Sequence, residues 1–262
     1  MLFEKGEWTS RDFPCRILQK LPGGHMAELY TAKLENTEHL VVVKTVEAAG
    51  TEQKLLMREA QVLSRLRHNG IPEIFGYFRE KEKSYYIMSY HPGMDLERFV
   101  VQNGCMREVE VRRIAMEACR ILAYLHSERI SIVHNDLKPA NFLLQDDGLM
   151  VLLDFGLAEY FRGEQEEIYF KGTLGYAAPE CWHREQYEIG PAADIFALGA
   201  TMFYLLEGKE PKDNYGKFVI SDADPQKKNR WQSVLDKCCA LDIRKRYQSA
   251  AEVYEVLNKL KV

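Results

Sequence analysis

The sequence predicts an α+β chain in two parts, a strand-rich amino-terminal third followed by a mainly helical remainder. Three observations predict it. Short β-type segments alternate with turns through residue 46 and recur as a hairpin between residues 74 and 88. Ser89-Tyr90-His91-Pro92-Gly93 then breaks the pattern with proline and glycine, as a linker between two parts does. From Asp95 onward, apolar residues recur at helical spacing.

Cys15-Arg16-Ile17-Leu18 reads as a strand leading to a turn at Pro22-Gly23-Gly24. Leu29-Tyr30-Thr31-Ala32 and Leu40-Val41-Val42-Val43 follow as strands, the second closed by Lys44. Leu55 to Leu66 reads as a helix that places Leu55, Leu56, Glu59, Leu63 and Leu66 on one face. A carboxylate inside an apolar stripe needs a partner, because burying it unpaired is costly, and Lys44 is the natural candidate for Glu59. Ile74 to Phe78 and Tyr85 to Met88 form the hairpin. Further on, Val109 to Ser127 carries a wide apolar stripe through Val111, Ile114, Ala115, Ala118, Ile121, Leu122 and Leu125. Ile130 to Val133 reads as a strand that delivers His134. Ile195 to Leu206, the longest apolar run, is too short to cross a bilayer and reads as a buried helix, with Asp194 placed to cap its start. Ser249 to Leu260 forms the last helix.

Composition narrows the function classes. The chain has 262 residues, 46% hydrophobic and 28% charged, the balance of an ordinary globular protein. A net charge of −4 points to neither nucleic acid nor a membrane surface as partner. Six cysteines form no C-x-x-C pair, and the adjacent Cys238 and Cys239 suit reduced thiols better than a disulfide framework. Acids interrupt Met1 to Glu7, where a signal peptide requires an apolar core, so the expected location is cytoplasmic.

Chemistry concentrates in two stretches. His134-Asn135-Asp136-Leu137-Lys138-Pro139-Ala140-Asn141 places four residues between Asp136 and Asn141, and Val151-Leu152-Leu153-Asp154-Phe155-Gly156 follows. This order resembles the H-R-D-x-x-x-x-N catalytic loop and D-F-G of the eukaryotic-type (Hanks-type) serine/threonine protein kinases. Val41-Val42-Val43-Lys44 resembles the V-A-I-K strand, Gly172-Thr173-Leu174-Gly175-Tyr176-Ala177-Ala178-Pro179-Glu180 the G-T-x-x-Y-x-A-P-E segment, and Asp194 to Gly199 the D-x-W-x-x-G helix start with Phe196 for tryptophan. The resemblance runs from about Ile17 to Leu257. It implies one catalytic domain over residues 1–262 with a bilobal, kinase-like α+β fold. The small β-rich lobe with one major helix would span about 1–88, the hinge about 89–95 and the larger, mainly helical lobe about 96–262.

The resemblance also implies a site and a reaction, transfer of the γ-phosphoryl group of ATP to a serine or threonine hydroxyl of a protein with magnesium as cofactor. Asp136 would be the catalytic carboxylate, Lys138 would offset charge at the γ-phosphate, and Lys44, paired with Glu59, would hold the α- and β-phosphates. Asn141 and Asp154 would be magnesium ligands. Leu21, Gly23, Gly24, Leu29, Val42, Met88, Ser89, His91, Asp95 and Leu143 would line the nucleotide site, these residues meeting in the cleft between the lobes. Thr173 would bridge Asp136 and Lys138, Arg246 would pair with Glu180, and Asp194 would bond the catalytic-loop backbone. His134 would pack with Phe155, Leu63 and Ile74 rather than transfer protons.

Departures are as informative. Only Gly24 keeps its place in the glycine-rich frame, with Pro22 and Ala27 at the outer two positions, and Val42 replaces the usual alanine. Asn135 replaces the arginine that pairs with a phosphorylated activation loop, and residues 157–171 contain no serine or threonine, only Tyr160 and Tyr169. Activity independent of loop phosphorylation is therefore expected. Ala140, where some kinases that prefer basic substrates carry an acid, gives no indication of a basic preference. Two alternatives stand beside the active kinase. One is a pseudokinase that binds nucleotide or partners. The other is a small-molecule phosphotransferase, against which Thr173 to Glu180 argue. Oligomeric state is left open.

Overall fold

The structure is a computed structural model that describes residues 7–10, 13–22, 27–47, 49–161, 172–182, 189–211 and 217–262. The chain divides into two compact units, Met1–Pro92 and Gly93–Val262.

The first unit is an antiparallel sheet with one helix. Strands β1 (Glu7–Ser10), β2 (Phe13–Leu21), β3 (Glu28–Leu34), β4 (Leu40–Glu47), β5 (Ile74–Glu80) and β6 (Lys83–Ser89) assemble in the order β1-β2-β3-β4-β6-β5. Alternation along β4 sorts its side chains between two faces. Val41 and Val43 join Cys15, Ile17, Tyr30, Ala32, Tyr85 and Ile87 in one core cluster. On the opposite face Val46 packs with Leu56 and Ala60 of helix α1 (Gly50–Leu63) and with Tyr86. Lys44, two residues from Val46, therefore points to the face that α1 covers.

Helix α1 starts five residues before the expected Leu55 and ends three before Leu66. Residues 50–54 are polar and mostly exposed, so they carry no periodic signal. At the other end Ser64 bonds back to Ala60 and Val62 through its N–H, and Leu66 to Leu63, tightening the chain into turns that still bury Leu66.

In the second unit, helices α2 (Leu96–Asn103), α3 (Glu108–Ser127), α4 (Pro191–Glu207), α5 (Pro225–Cys238) and α6 (Ala250–Lys259) surround two small strand pairs. The first pair, β9 (Phe142–Leu144) with β10 (Met150–Leu152), is joined by β7 (Met94–Asp95), and the second is β8 (Ile132–Val133) with β11 (Glu159–Tyr160). All seven stripe residues expected on α3 are buried. Helix α4 is buried from Ala193 to Leu206, which explains its unbroken apolar run. Its start corrects the sequence reading. Asp194 is not the cap; Gly190 is, with Pro191 at the first helical position, and Asp194 lies inside the first turn with its carboxylate free to bond elsewhere.

Two contacts hold α4 against its neighbours. A Cβ at Gly199 would stand 2.5 Å from Cys239 Sγ and 2.7 Å from Cys238 Cβ, so only glycine fits there. Arg246 forms a bidentate pair with Glu180, Nη1 to Oε1 at 2.5 Å and Nη2 to Oε2 at 2.7 Å, and also donates to the carbonyls of Ala240 and Ala192. The arginine side chain is fully buried.

Substitution Arg246→Met leaves the Glu180 carboxylate buried without its cation. The expected loss is about 3–5 kcal/mol, read from urea denaturation, and a loss below about 1 kcal/mol would show that water reaches Glu180. The thiols supply a second check. Burial pushes Cys119 up to about 12, Cys15 up to about 11 and Cys239 well above the ordinary thiol range, whereas Cys105 is exposed. Ellman's reagent should therefore find one fast-reacting thiol in the native protein, lost in Cys105→Ser. A second fast thiol would contradict this packing.

Candidate active site

In the first unit, the face of β4 covered by α1 brings the Lys44 ammonium to Glu59 Oε2 at 2.6 Å, with 13% and 3% of the two side chains exposed. Leu56 and Ala60 beside Glu59 on α1 are buried as well, so the pair sits in apolar surroundings where each charge requires the other. Val42 is buried on the same strand, registered against Thr31 and Met88. Leu21 pairs with Leu29, both half-buried. Gly23 and Gly24 lie outside the described residues. Ser89 closes β6 with its N–H donated to Glu73 O at 2.8 Å and its hydroxyl bonded to His91 Nε2 at 2.8 Å.

In the second unit the segment from His134 to Asn141 is built around Asp194. Its Oδ2 accepts from the His134 N–H and its Oδ1 from the Asn135 N–H, each at 2.9 Å, and His126 Nε2 lies 3.0 Å from Oδ2. Asn135 adopts φ 66°, a left-handed conformation that asparagine tolerates better than most residues. His134 is fully buried, its Nε2 donating to Leu153 O at 3.2 Å and its Nδ1 accepting from the Asp136 N–H at 3.3 Å. Both ring nitrogens are thereby engaged, and the ring meets Phe155 edge-on at 4.8 Å.

Asp136 is the centre of a closed network. Its Oδ1 accepts from the Thr173 hydroxyl at 2.6 Å, and its Oδ2 faces Lys138 Nζ at 3.0 Å. Lys138 in turn donates to Thr173 Oγ1 at 2.8 Å, completing a triangle. Asn141, at the end of the 3-10 turn Pro139–Asn141, donates Nδ2 to both Asp136 O (2.7 Å) and Oδ2 (3.1 Å). The carboxylate is thus held in one orientation by three side chains while remaining 7% exposed.

With Nδ2 committed, Asn141 keeps its oxygen Oδ1, which makes no hydrogen bond among the described residues. The Leu153 N–H donates to Asn141 O at 2.7 Å, so Asp154, the next residue, is fixed beside it with an exposed carboxylate and φ 57°. Among the described residues no three His, Cys, Asp or Glu gather around one point. Two hard oxygen donors of this kind fit magnesium, which takes few ligands from protein and the rest from water and phosphate.

The remaining expected residues take separate places. Leu143 sits half-buried on β9 opposite Val151 and Asp95, whose carboxylate caps α2 by accepting from the Arg98 N–H at 2.8 Å. The structure also assigns Asn135 a contact that the sequence reading missed. Its Nδ2 donates to Leu157 O at 3.1 Å and to Glu159 Oε1 at 2.9 Å, the glutamate being buried. The signal was available: Glu159, like Glu59, is an acid whose neighbours are apolar, and it needed a partner.

Comparison with known proteins places this geometry. The protein kinase domain family model matches residues 15–259. Serine/threonine-protein kinase B of Synechocystis is 33% identical over 224 residues, 79% of this chain and 38% of that protein. Serine/threonine-protein kinase F of the same organism is 32% identical, over 95% of this chain and 55% of its own length. Aurora kinase A-A of Xenopus laevis is 30% identical, over 79% of this chain and half of that protein. The chain therefore spans 38% to 55% of the length of these relatives. A match across nearly the whole chain, on the α+β architecture just described, makes it a member of the protein kinase domain family, a Hanks-type catalytic domain.

Proposed function

We propose that the chain is an active protein serine/threonine kinase that transfers the γ-phosphoryl group of ATP to a protein hydroxyl. One observation carries the reading, the network in which Thr173, Lys138 and Asn141 fix the Asp136 carboxylate. A structural acid would need pairing alone. This one is oriented from three sides, by a hydroxyl, an ammonium and an amide, as a group that must meet an acceptor in a fixed geometry is.

Asp136 aligns the acceptor hydroxyl and takes its proton as the new oxygen–phosphorus bond forms and the bond to the ADP oxygen breaks. Lys138, 3.0 Å from that carboxylate, offsets negative charge on the moving phosphoryl group. Lys44, held by Glu59, binds the α- and β-phosphates. Magnesium, when held by Asn141 Oδ1 and Asp154, supplies charge neutralisation on the phosphates. Lys138 and Thr173 together favour serine and threonine over tyrosine as acceptor class.

This is a kinase with asparagine before the catalytic aspartate, and its activity is independent of activation-loop phosphorylation. Asn135 secures residues 157–159 through its amide, a tie that uses no phosphate. The Tyr160 hydroxyl is buried, which disfavours it as a phosphoryl acceptor. Tyr169 and the acids Glu164, Glu166 and Glu167 lie outside the described residues.

Incubation with labelled ATP, magnesium and general protein substrates should give phosphoserine and phosphothreonine. Asp154→Asn should abolish transfer and leave the melting temperature unchanged, and Asp136→Asn should slow it by about 10²–10⁴-fold. Nucleotide binding without any transfer by the wild-type chain would favour the pseudokinase instead. Phosphatase treatment should leave the rate unaltered; a large loss restored by phosphorylation of Tyr160 or Tyr169 would refute phosphorylation independence.

A further inference from the structure

Glu59 is not the only group that faces the Lys44 ammonium. Lys44 and Tyr86 are cross-strand partners in the register of β4 with β6, and Lys44 Nζ stands over the Tyr86 ring, 5.8 Å from its centroid. The face of an aromatic ring is negative, so a cation within about 6 Å of the centroid is attracted to it. Water weakens that attraction, and this pair is largely shielded from it. Tyr86 is fully buried, and 13% of the Lys44 side chain is exposed. Val46, Leu56 and Ala60 pack with Tyr86 in one cluster, against which Ile74 and Met88 also pack, so the ring is held from both the sheet and α1.

The two neighbours of the ammonium differ in kind and in origin. Glu59 belongs to α1, and its Oε2 accepts from Lys44 Nζ at 2.6 Å. A carboxylate neutralises the charge that it holds. Tyr86 belongs to β6, the strand hydrogen-bonded to β4 itself, and its ring attracts a cation while carrying no net charge. At 5.8 Å the ring is also too distant to accept an N–H, so it occupies none of the three ammonium donors. A leucine at 86 would fill much of the same space and exert no such attraction. An aromatic residue in that position therefore does more than pack.

We propose that Tyr86 is a positioning residue for Lys44, its ring drawing the ammonium toward the sheet without consuming the charge or the donors that the nucleotide's α- and β-phosphates require. The inference rests on the reading of Lys44 as a phosphate-binding lysine, but the contact between ring and ammonium is measured without nucleotide.

The test places phenylalanine and its mono-, di- and trifluorinated forms at 86, which keep the ring's outline while draining negative charge from its face step by step. Each is made in the full chain twice, once with Lys44 and Glu59 in place and once with Lys44→Met and Glu59→Gln, which remove the cation and its counter-charge together. In urea, the equilibrium constant for unfolding should rise along the series by about threefold more where Lys44 is present, a modest effect that suits a distance near the outer limit of the interaction. Binding of a fluorescent methylanthraniloyl ADP with magnesium should weaken along the same series by about threefold, and Tyr86→Leu should weaken it at least as far. Loss of packing alone predicts a deficit in Tyr86→Leu and none that follows fluorination. Equal unfolding series in the two backgrounds overturn the contact. A series that depends on Lys44 in unfolding but leaves nucleotide affinity constant overturns the positioning role. Absence of nucleotide binding in the chain with Tyr86 overturns the phosphate-binding reading and the positioning role with it, while the unfolding series still decides whether the ring holds the ammonium.

Discussion

A single buried carboxylate sets the position of everything that surrounds Asp136. Asp194 is completely excluded from solvent, and an acid in that position must have its oxygens satisfied or destabilise the fold. It does so by taking two consecutive backbone N–H groups, those of His134 and Asn135. Two adjacent amides can converge on one carboxylate only if the chain turns sharply between them, which the left-handed Asn135 provides. The turn sends Asp136 toward Lys138 and Thr173, and it lets the His134 ring reach the Leu153 carbonyl. Leu153 in turn bonds Asn141, so the His134–Asn141 and Asp154-Phe155-Gly156 stretches are registered through one chain of contacts that begins in α4.

Much of this was legible in the sequence, because its strongest signals are local. The alternation in Val41-Val42-Val43-Lys44 and the spacing of Leu56, Glu59 and Leu63 depend on nothing distant, and they led to the strand, the helix and the Lys44–Glu59 pair. The boundaries of α1 were not legible, since a polar first turn has no periodicity and a buried Leu66 mimics one more helical turn. Of the two roles open to Asp194 in the sequence, helix cap and backbone acceptor, the cap suggested itself because an acid before an apolar run is the usual sign of one. The competing signal, Pro191 preceded by Gly190, sat just upstream. Asn135 was read as a missing arginine charge, whereas its amide performs a bond of its own to residues 157 and 159.

Buried acids recur at the junctions of this fold, and each has a different answer to the same problem. Glu59 takes an ammonium, Glu180 a bidentate guanidinium, Glu159 a side-chain amide and Asp194 the backbone. The guanidinium of Arg246 is itself completed by two carbonyls, so neither member of that pair retains an unmet charge or donor at its inner end. Apolar packing gives the two units their mass, but it is indifferent to small displacements. These polar junctions are not, since a hydrogen bond weakens steeply with misalignment. Positional accuracy around Asp136 therefore derives from groups that would, if left unmatched, oppose folding.

The close approach at Gly199 carries a consequence of its own. Where a missing side chain on one helix is filled by sulfur from the next, the two positions share a single volume, and neither can change size independently. A drift from glycine to alanine at 199 is blocked twice, by the Cys239 sulfur and by the Cys238 Cβ, so a smaller residue at 239 alone does not admit it and this seam constrains which substitutions can accumulate. Such paired restraint, far from any reacting group, shapes which descendants of this chain are reachable by single steps.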